Sequence, residues 1–338
     1  MKKEVDIVAL GELLIDFTEA GRGQEGMKLF EQNPGGAPSN LLTVASHMGY
    51  KTAFIGKVGS DMHGKFLKKT LKDEGIDVRA VIEDDNYFTT LAFVEIEDSG
   101  ERHFSFSRKP GADTMLLPEE LDKELLRNCS IFHFGSLSLT NDPSKTATLE
   151  AIKLAKEAKA LISYDPNYRA SLWESEKSAI EEMKKGIFYA DVMKVSDEES
   201  LLLTGCKTYE DAADKILEMG VKLVAITLGK DGVLIARKDQ KEIVKGFLVS
   251  AVDTTGAGDS FWGGFLSNLL SCEKEVDGAY EKESDCSFGK VIDEFEWEDL
   301  KKCATMGNAV AALCVQKRGG IPSIPEKNDV LKFLQKNC

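Results

Sequence analysis

Short runs of aliphatic and β-branched residues alternate along the chain with longer segments whose apolar positions recur every three or four residues. The runs Ile7–Leu10, Thr52–Val58, Ile131–Phe134, Leu161–Asp165, Val192–Val195, Leu223–Leu228 and Gly232–Ala236 read as strands. The segments Ser39–Met48, Lys65–Asp73, Ser144–Ala158, Lys177–Phe188 and Tyr209–Met219 read as amphipathic helices. Strands interleaved with helices of about 10–15 residues imply βαβ units and a mainly parallel, covered sheet. The expected fold is an α/β sandwich. No fixed-period internal repeat is visible.

Two segments break this rhythm. Residues 12–34 lack a helical period and hold Gly21, Gly23 and Gly26. Residues 87–108 read as two alternating strands around Asp98-Ser99-Gly100, a hairpin signal. Such an insertion either projects from the scaffold as a lid or dimer edge, or forms a plain edge hairpin on the main sheet; the pattern leaves both open. Residues 271–299 carry eleven acids against three lysines, a net of −8, and read as an exposed insertion between helices.

The chain of 338 residues has a net charge of −14, which argues against a surface built for nucleic acid or anionic membranes. The acidic segment holds more than half of that charge, so the count does not speak against a phosphorylated substrate bound elsewhere. No stretch approaches the ~20 apolar residues that span a bilayer, and the first residues do not read as a signal peptide. The cysteines at 129, 206, 272, 286, 303, 314 and 338 are scattered and never in Cys-x-x-Cys spacing, as expected of reduced thiols in the cytoplasm.

Histidines 47, 63, 103 and 133 are far apart, so a zinc site or a Ser-His-Asp hydrolase has little support. Gly59–Phe66 resembles a Walker A loop except that Phe66 stands where the magnesium-binding hydroxyl belongs. No Gly-x-Gly-x-x-Gly opens a helix after a strand, which removes the dinucleotide fingerprint of a dehydrogenase.

The strongest signal is Asp253-Thr-Thr-Gly256-Ala-Gly258-Asp259-Ser-Phe261, between a β-rich run (Ile243–Val252) and a helical stretch, Ser260–Leu270. Small residues there let backbone N–H groups face an anion at a helix N-terminus, and Asp259 beside them suits a general base. A Gly-rich turn with Asp259 capping the helix reads equally well. Asn33-Pro-Gly35-Gly36-Ala-Pro-Ser-Asn40 opens the first helix; it suits recognition of neutral hydroxyls, or is an ordinary loop before a capped helix. Asp16 follows the first strand, at the sheet edge where open α/β folds bind ligands.

Together these pieces resemble the ribokinase-like (PfkB) carbohydrate kinases, most closely their fructokinase branch, over nearly the whole chain. The N-terminal motif matches Gly35–Asn40 and continues through Gly49, Gly56, Val58-Gly59, Asp61 and Gly64; the C-terminal motif matches Asp253–Phe261 without a break. Arg108-Lys-Pro-Gly-Ala-Asp113, Asp165-Pro-Asn167-x-Arg169, Ser196-x-x-Glu199 after Lys194, Thr227-Leu-Gly229-x-x-Gly232, and Asn308 before Lys317-Arg-Gly-Gly320 add to it. Thr114, where methionine is expected, and the length of the acidic insertion depart from the family pattern.

The resemblance implies a three-layer α/β/α sandwich over residues 1–338, with a small β-strand lid from segments 12–34 and 87–108. It implies an ATP-dependent sugar kinase acting on the 6-hydroxyl of fructose, with kinases of 2-keto-3-deoxygluconate, ribose or nucleosides as the nearest alternatives. A non-catalytic sugar- or nucleotide-binding regulator on the same scaffold is the rival from another class. By the resemblance, Asp259 is the base and Gly256, Ala257 and Gly258 hold the transferring phosphoryl group. Asp16, Gly35, Gly36, Asn40, Arg108, Asn167 and Arg169 serve the sugar side. Lys194, Ser196, Thr227, Gly229, Gly232 and Asn308 serve the nucleotide. Glu199 positions Mg²⁺ through water, and Asp253 and Thr255 offer carbonyls to a monovalent cation, potassium. Exposed lid edges imply a homodimer through the lid strands.

Overall fold

A computed structural model of the chain describes residues 3–96, 102–279 and 292–337. The first half runs β1 (Val5–Leu10), β2 (Leu14–Arg22), β3 (Lys28–Gly35), α1 (Ala37–His47), β4 (Thr52–Gly59), α2 (Met62–Asp73), β5 (Val81–Asp84), β6 (Leu91–Ile96) and β7 (Arg102–Ser107). It continues with α3 (Lys123–Arg127), β8 (Cys129–Gly135), α4 (Ser144–Glu157), β9 (Leu161–Asp165), α5 (Glu176–Ile187), β10 (Val192–Ser196), α6 (Asp197–Thr204) and α7 (Tyr209–Glu218). The last third comprises β11 (Leu223–Thr227), β12 (Gly232–Arg237), β13 (Gln240–Lys245), α8 (Ala257–Ala279), α9 (Trp297–Cys314) and α10 (Lys327–Asn337).

Nine strands form one sheet in the order β13-β12-β11-β10-β9-β8-β1-β4-β5, parallel except where β12 runs against both neighbours. Both faces of the parallel strands are buried, which explains their near-continuous apolar runs. Alternate residues divide between two cores. Val8, Leu10, Phe132, Phe134, Ile162 and Val195 pack under α4, α5 and α7 on one side. Ile7, Ala9, Ile131, Leu161, Val192 and Ala225 pack on the other, under Leu41 and Leu42 of α1 and Trp262, Phe265 and Leu266 of α8. This is the α/β sandwich the strand–helix rhythm implies, in the three-layer α/β/α form implied by the resemblance.

Segments 12–34 and 87–108 supply a second, four-stranded sheet in the order β3-β2-β6-β7. The bend at Asp98-Ser99-Gly100 lies outside the described residues, as do 280–291 of the acidic segment. In β2 and β3 most residues are exposed or only partly buried and both faces carry mixed chemistry, so neither periodicity shows. Strand β3 reaches through Pro34 to Gly35, residues the sequence pattern assigns to a loop, because Leu14 and Ile15 pair with them. The run Ile243–Val252 is a strand only as far as Lys245, and α8 begins at Ala257, three residues before the expected start. Two of the histidines have partners of their own: His133 Nδ1 lies 2.9 Å from Ser163 Oγ, and His47 Nε2 lies 2.7 Å from a Glu74 carboxylate oxygen.

Candidate active site

The carboxyl ends of the central strands and the N-terminus of α8 enclose a cavity of about 570 Å³, within the usual range for a small-molecule site. Its middle is the turn that opens α8. Gly256 there has φ 75°, a left-handed conformation that favours glycine. The Asp253 carboxylate fixes the turn, accepting the Thr255 N–H at 2.8 Å and the Gly319 N–H at 3.1 Å. Ser260 N–H closes the first helical bond onto Gly256 O at 2.8 Å, while Ala257 N–H turns back to Thr254 O at 3.2 Å. Gly258 and Asp259 are thus the first-turn positions whose N–H groups have no helical acceptor. Ala257, expected with Gly256 and Gly258 to hold the transferring group, has its N–H directed at Thr254 O in this arrangement.

Asp259 does not cap its own helix. Its Oδ2 accepts a hydrogen bond from Asn40 Nδ2 at 2.8 Å, across from α1. Burial raises the Asp259 pKa, opposed by the Lys194 ammonium, the Asn40 hydrogen bond and the Arg169 guanidinium. Lys194, 6% exposed in the middle of β10, donates to Asp165 Oδ2 at 2.9 Å. A Cβ on Gly258 would stand 2.7 Å from Lys194 Nζ, so only glycine lets the ammonium approach the start of α8. Despite the cost of burial, Asp165, Glu199 and Asp259 hold the Lys194 pKa above its ordinary value.

At one end of the cavity lie Asp16, Gly36, Asn40, Asn167 and Arg169. Burial pushes the Asp16 carboxyl up to about 7, against the pull of Arg169. Gly35 does not line the cavity; it makes room for Asp16, whose Oδ2 would be 2.3 Å from a Cβ there. Asn167 has φ 46°, and its N–H reaches Asp165 Oδ1 at 3.2 Å. Arg169, in the loop after β9, donates from Nη1 to Tyr168 O at 2.9 Å and lines the cavity.

Arg108 is placed differently from the expectation that it reaches the sugar. Its guanidinium turns inward, donating to Asp113 Oδ2 at 2.8 Å, Thr140 Oγ1 at 3.1 Å and Leu137 O at 2.8 Å. It lines a neighbouring cavity, and these bonds tie the chain just after β7 to Asp113, Leu137 and Thr140. The acid that claims it, Asp113, lies five residues on in the same motif.

Phe106, Leu137 and Glu12 are among the cavity residues that the sequence did not mark. Phe106 and Leu137 are apolar wall positions that nothing marks in advance. Glu12 is a buried acid directly after β1, and the strand-end reasoning that found Asp16 applies equally to it.

The other end of the cavity is built by Ser196, Thr227, Gly229, Gly232 and Asn308. Ser196 and Glu199 form a capping box at the start of α6: Ser196 Oγ accepts the Glu199 N–H at 3.2 Å, and Glu199 Oε2 accepts the Ser196 N–H at 2.9 Å. Glu199 Oε1 also accepts the Tyr168 N–H at 2.6 Å. Burial opposes its ionisation, but Lys194 and these donors prevail and hold its pKa below the ordinary value. Gly232, φ 111°, lies where a Cβ would be 2.2 Å from Val244 O. Asn308 Nδ2 ties α9 to the carbonyls of Val244 and Lys245 at 3.1 and 3.0 Å.

Among the described residues no group of three or more His, Cys, Asp or Glu is arranged to hold a metal ion. Among the same residues no helix is long and apolar enough to cross a membrane.

Comparison with known proteins agrees with this geometry. Residues 5–327 match the model of the pfkB family carbohydrate kinases. A probable fructokinase-2 of Arabidopsis thaliana is 39% identical over 332 residues, covering 97% of this chain and 95% of that protein. Among solved structures, a fructokinase from Xylella fastidiosa with bound ATP superposes with a TM-score of 0.87 at 28% identity, covering 98% of each chain. A fructokinase double mutant from Vibrio cholerae O395, bound to fructose, ADP and a potassium ion, gives 0.82 at 29% identity, covering 99% of this chain and 100% of that one.

Proposed function

The chain belongs to the pfkB family of carbohydrate kinases, and on that premise we propose that it is a fructokinase, transferring the γ-phosphoryl group of ATP to the 6-hydroxyl of fructose. The observation that carries this reading is the placement of a buried carboxylate, Asp259, beside open N–H donors at the start of α8, with an acid-lined pocket on one side and a glycine-rich one on the other. The relatives whose structures hold fructose with ADP, or ATP, support the same pair of substrates.

In this mechanism Asp16 accepts hydrogen bonds from two sugar hydroxyls, and Gly36 allows the ring close to the backbone. Asn40 and Asn167 add neutral contacts. Asp259 takes the proton of the 6-hydroxyl as its oxygen bonds to the γ-phosphorus; the bond from phosphorus to the β–γ bridging oxygen breaks and ADP leaves. Gly256 and the N–H groups of Gly258 and Asp259 face the charge that spreads over the transferring group, and Lys194 adds a fixed positive charge behind them. Arg169 faces the same charge from the sugar side. Thr227, Gly229, Gly232 and Asn308 form the nucleotide wall, with Ser196 next to the phosphates.

Magnesium, when bound, would neutralise the β- and γ-phosphates, held on the protein side by Glu199 through water. Backbone carbonyls of Asp253 and Thr255 would serve a potassium ion, as the relative bound to potassium suggests. The four-stranded sheet acts as a lid that keeps water from the phosphoryl group. Phe30 and Phe93 on that sheet are 42% and 39% exposed, and β3 and β7 are its edges, which supports a homodimer closed through the lids. Among the described residues Cys129, Cys206, Cys272, Cys303 and Cys314 form no disulfide, in keeping with a reducing, cytoplasmic setting.

The test is an ADP-release assay with fructose, ribose, glucose, 2-keto-3-deoxygluconate and adenosine as acceptors. The reading expects the highest kcat/KM with fructose. A higher value with any other acceptor overturns the substrate assignment, and no ADP release with any of them favours a binding protein. Light scattering that finds a monomer at assay concentration rejects the dimer.

A further inference from the structure

Helix α1 starts without a cap of its own. Gly36 precedes it with φ 121° and offers no side chain, and among its first residues only Ser39 turns back, donating to Gly36 O at 2.8 Å. The missing acceptor comes from elsewhere in the chain. Glu12 Oε1 accepts the Ala37 N–H at 2.9 Å, so a carboxylate from the end of β1 closes the N-terminus of α1. The two segments are also in close backbone contact, since a Cβ on Gly36 would stand 2.3 Å from Glu12 O. Glu12 is 3% exposed and lines the cavity.

One turn into the same helix sits Asn40, whose Nδ2 holds Asp259 Oδ2 at 2.8 Å. The other amide atom of Asn40, Oδ1, is buried and has no hydrogen-bond partner. The side chain is wedged between backbones: a Cβ on Gly320 would be 2.7 Å from Asn40 Oδ1, and one on Gly256 would be 3.4 Å from its Nδ2. The direction of the Asn40 amide is therefore set by its bond to Asp259 and by where α1 lies. Whatever fixes the first turn of α1 fixes the bond to the base.

We propose that Glu12 is a positioning residue for phosphoryl transfer: it anchors the first turn of α1, and through Asn40 it holds the Asp259 carboxylate in its working orientation. This rests on Asp259 being the base. Glu12 does not touch the reacting atoms. It spans the gap between β1, which leads into the lid strand β2, and the helix that faces α8. A shift of the helix start breaks a contact that tolerates little displacement, and misplacements of that size cost about 100-fold in rate.

The test is a double-mutant cycle on kcat with its pH profile. Glu12→Ala removes the acceptor, Asn40→Ala removes the contact to the base, and the double variant combines them. The proposal expects Glu12→Ala to lower kcat by about 10- to 100-fold, with KM for ATP unchanged. The double variant should be no slower than Asn40→Ala alone, because both changes act through one contact. The acid limb of kcat should move to higher pH in all three, because the Asn40 hydrogen bond holds the Asp259 pKa down. Lys194, Arg169, Glu199, Asp16, Asp165 and Cys314 also act on Asp259, and none of them is altered.

Glu12→Gln retains an acceptor for the Ala37 N–H and should recover most of the lost kcat, which also covers the case in which Glu12→Ala fails to fold. Multiplying effects in the double variant, an unmoved acid limb in Glu12→Ala, or a Glu12→Gln enzyme as slow as Asn40→Ala each overturns the proposal. Asp259→Asn, measured alongside, separates the two claims. If that variant keeps its turnover, the base assignment fails. If it loses turnover while Glu12→Ala keeps both kcat and pH profile, only the positioning role fails.

Discussion

Lys194 is the buried cation of a cluster that contains Asp165, Glu199 and Asp259, and Lys194→Met leaves those carboxylates without it. At 2.9 Å from Asp165 Oδ2, the attraction is about 6 kcal/mol at an effective dielectric of about 20. Much of that offsets the desolvation of both ions, and breaking a buried pair by removing one partner costs about 3–5 kcal/mol. The cost depends on pH with a definite sign. Burial already raises the Asp165 carboxyl to about 6, with Lys194 pulling the other way, so its removal raises it further. An acid whose folded pKa lies above its unfolded value binds more protons when folded, so stability falls as pH rises through that window. The loss in Lys194→Met should be largest near pH 8 and smaller near pH 5.5, where the freed carboxylates take up protons. Urea unfolding followed by circular dichroism at the two pH values measures it, and the acid limb of kcat should move to higher pH. Equal losses at both pH values together with an unmoved acid limb would refute the electrostatic reasoning.

Asp16, held at about 7 by burial, should bind fructose best as a carboxylate, so KM for fructose rises as pH falls below about 7 while KM for ATP stays flat. Asp16→Ala should raise KM for fructose and leave that for ATP intact; initial rates over pH 5.5–8.5 check both, and a parallel loss for the two substrates contradicts the assignment. Arg108→Lys cannot keep the two-nitrogen contact to Asp113 Oδ2 together with the bonds to Thr140 and Leu137, costing about 1–3 kcal/mol of stability, visible as a lower Tm. Its KM for fructose should change less than that of Asp16→Ala; a larger change would return Arg108 to the sugar site.

The central sheet was legible because parallel strands covered on both faces must be apolar almost throughout, as Ile131–Phe134 and Leu223–Thr227 are. The turn at 253–259 was legible because few sequences can place small residues and an acid at a helix start, though the choice between base and cap needed the Asn40 contact, 219 residues away. Strands β2 and β3 were not, since half-exposed strands with mixed faces show no period. For Arg108 a motif names the residue but not the direction of its side chain, which pairs with Asp113 in this structure. Glu12 was missed for a related reason. Its partner is an N–H group 25 residues on, at a helix whose own N-terminal residue is a glycine.

The account turns on Asp259 accepting the proton of the sugar hydroxyl. Steady-state ADP release from ATP and fructose by Asp259→Asn, with binding of each substrate measured by calorimetry, tests it most directly. The account predicts that turnover is nearly abolished while fructose and ATP still bind with at most modest loss; turnover close to that of the unaltered enzyme would contradict it.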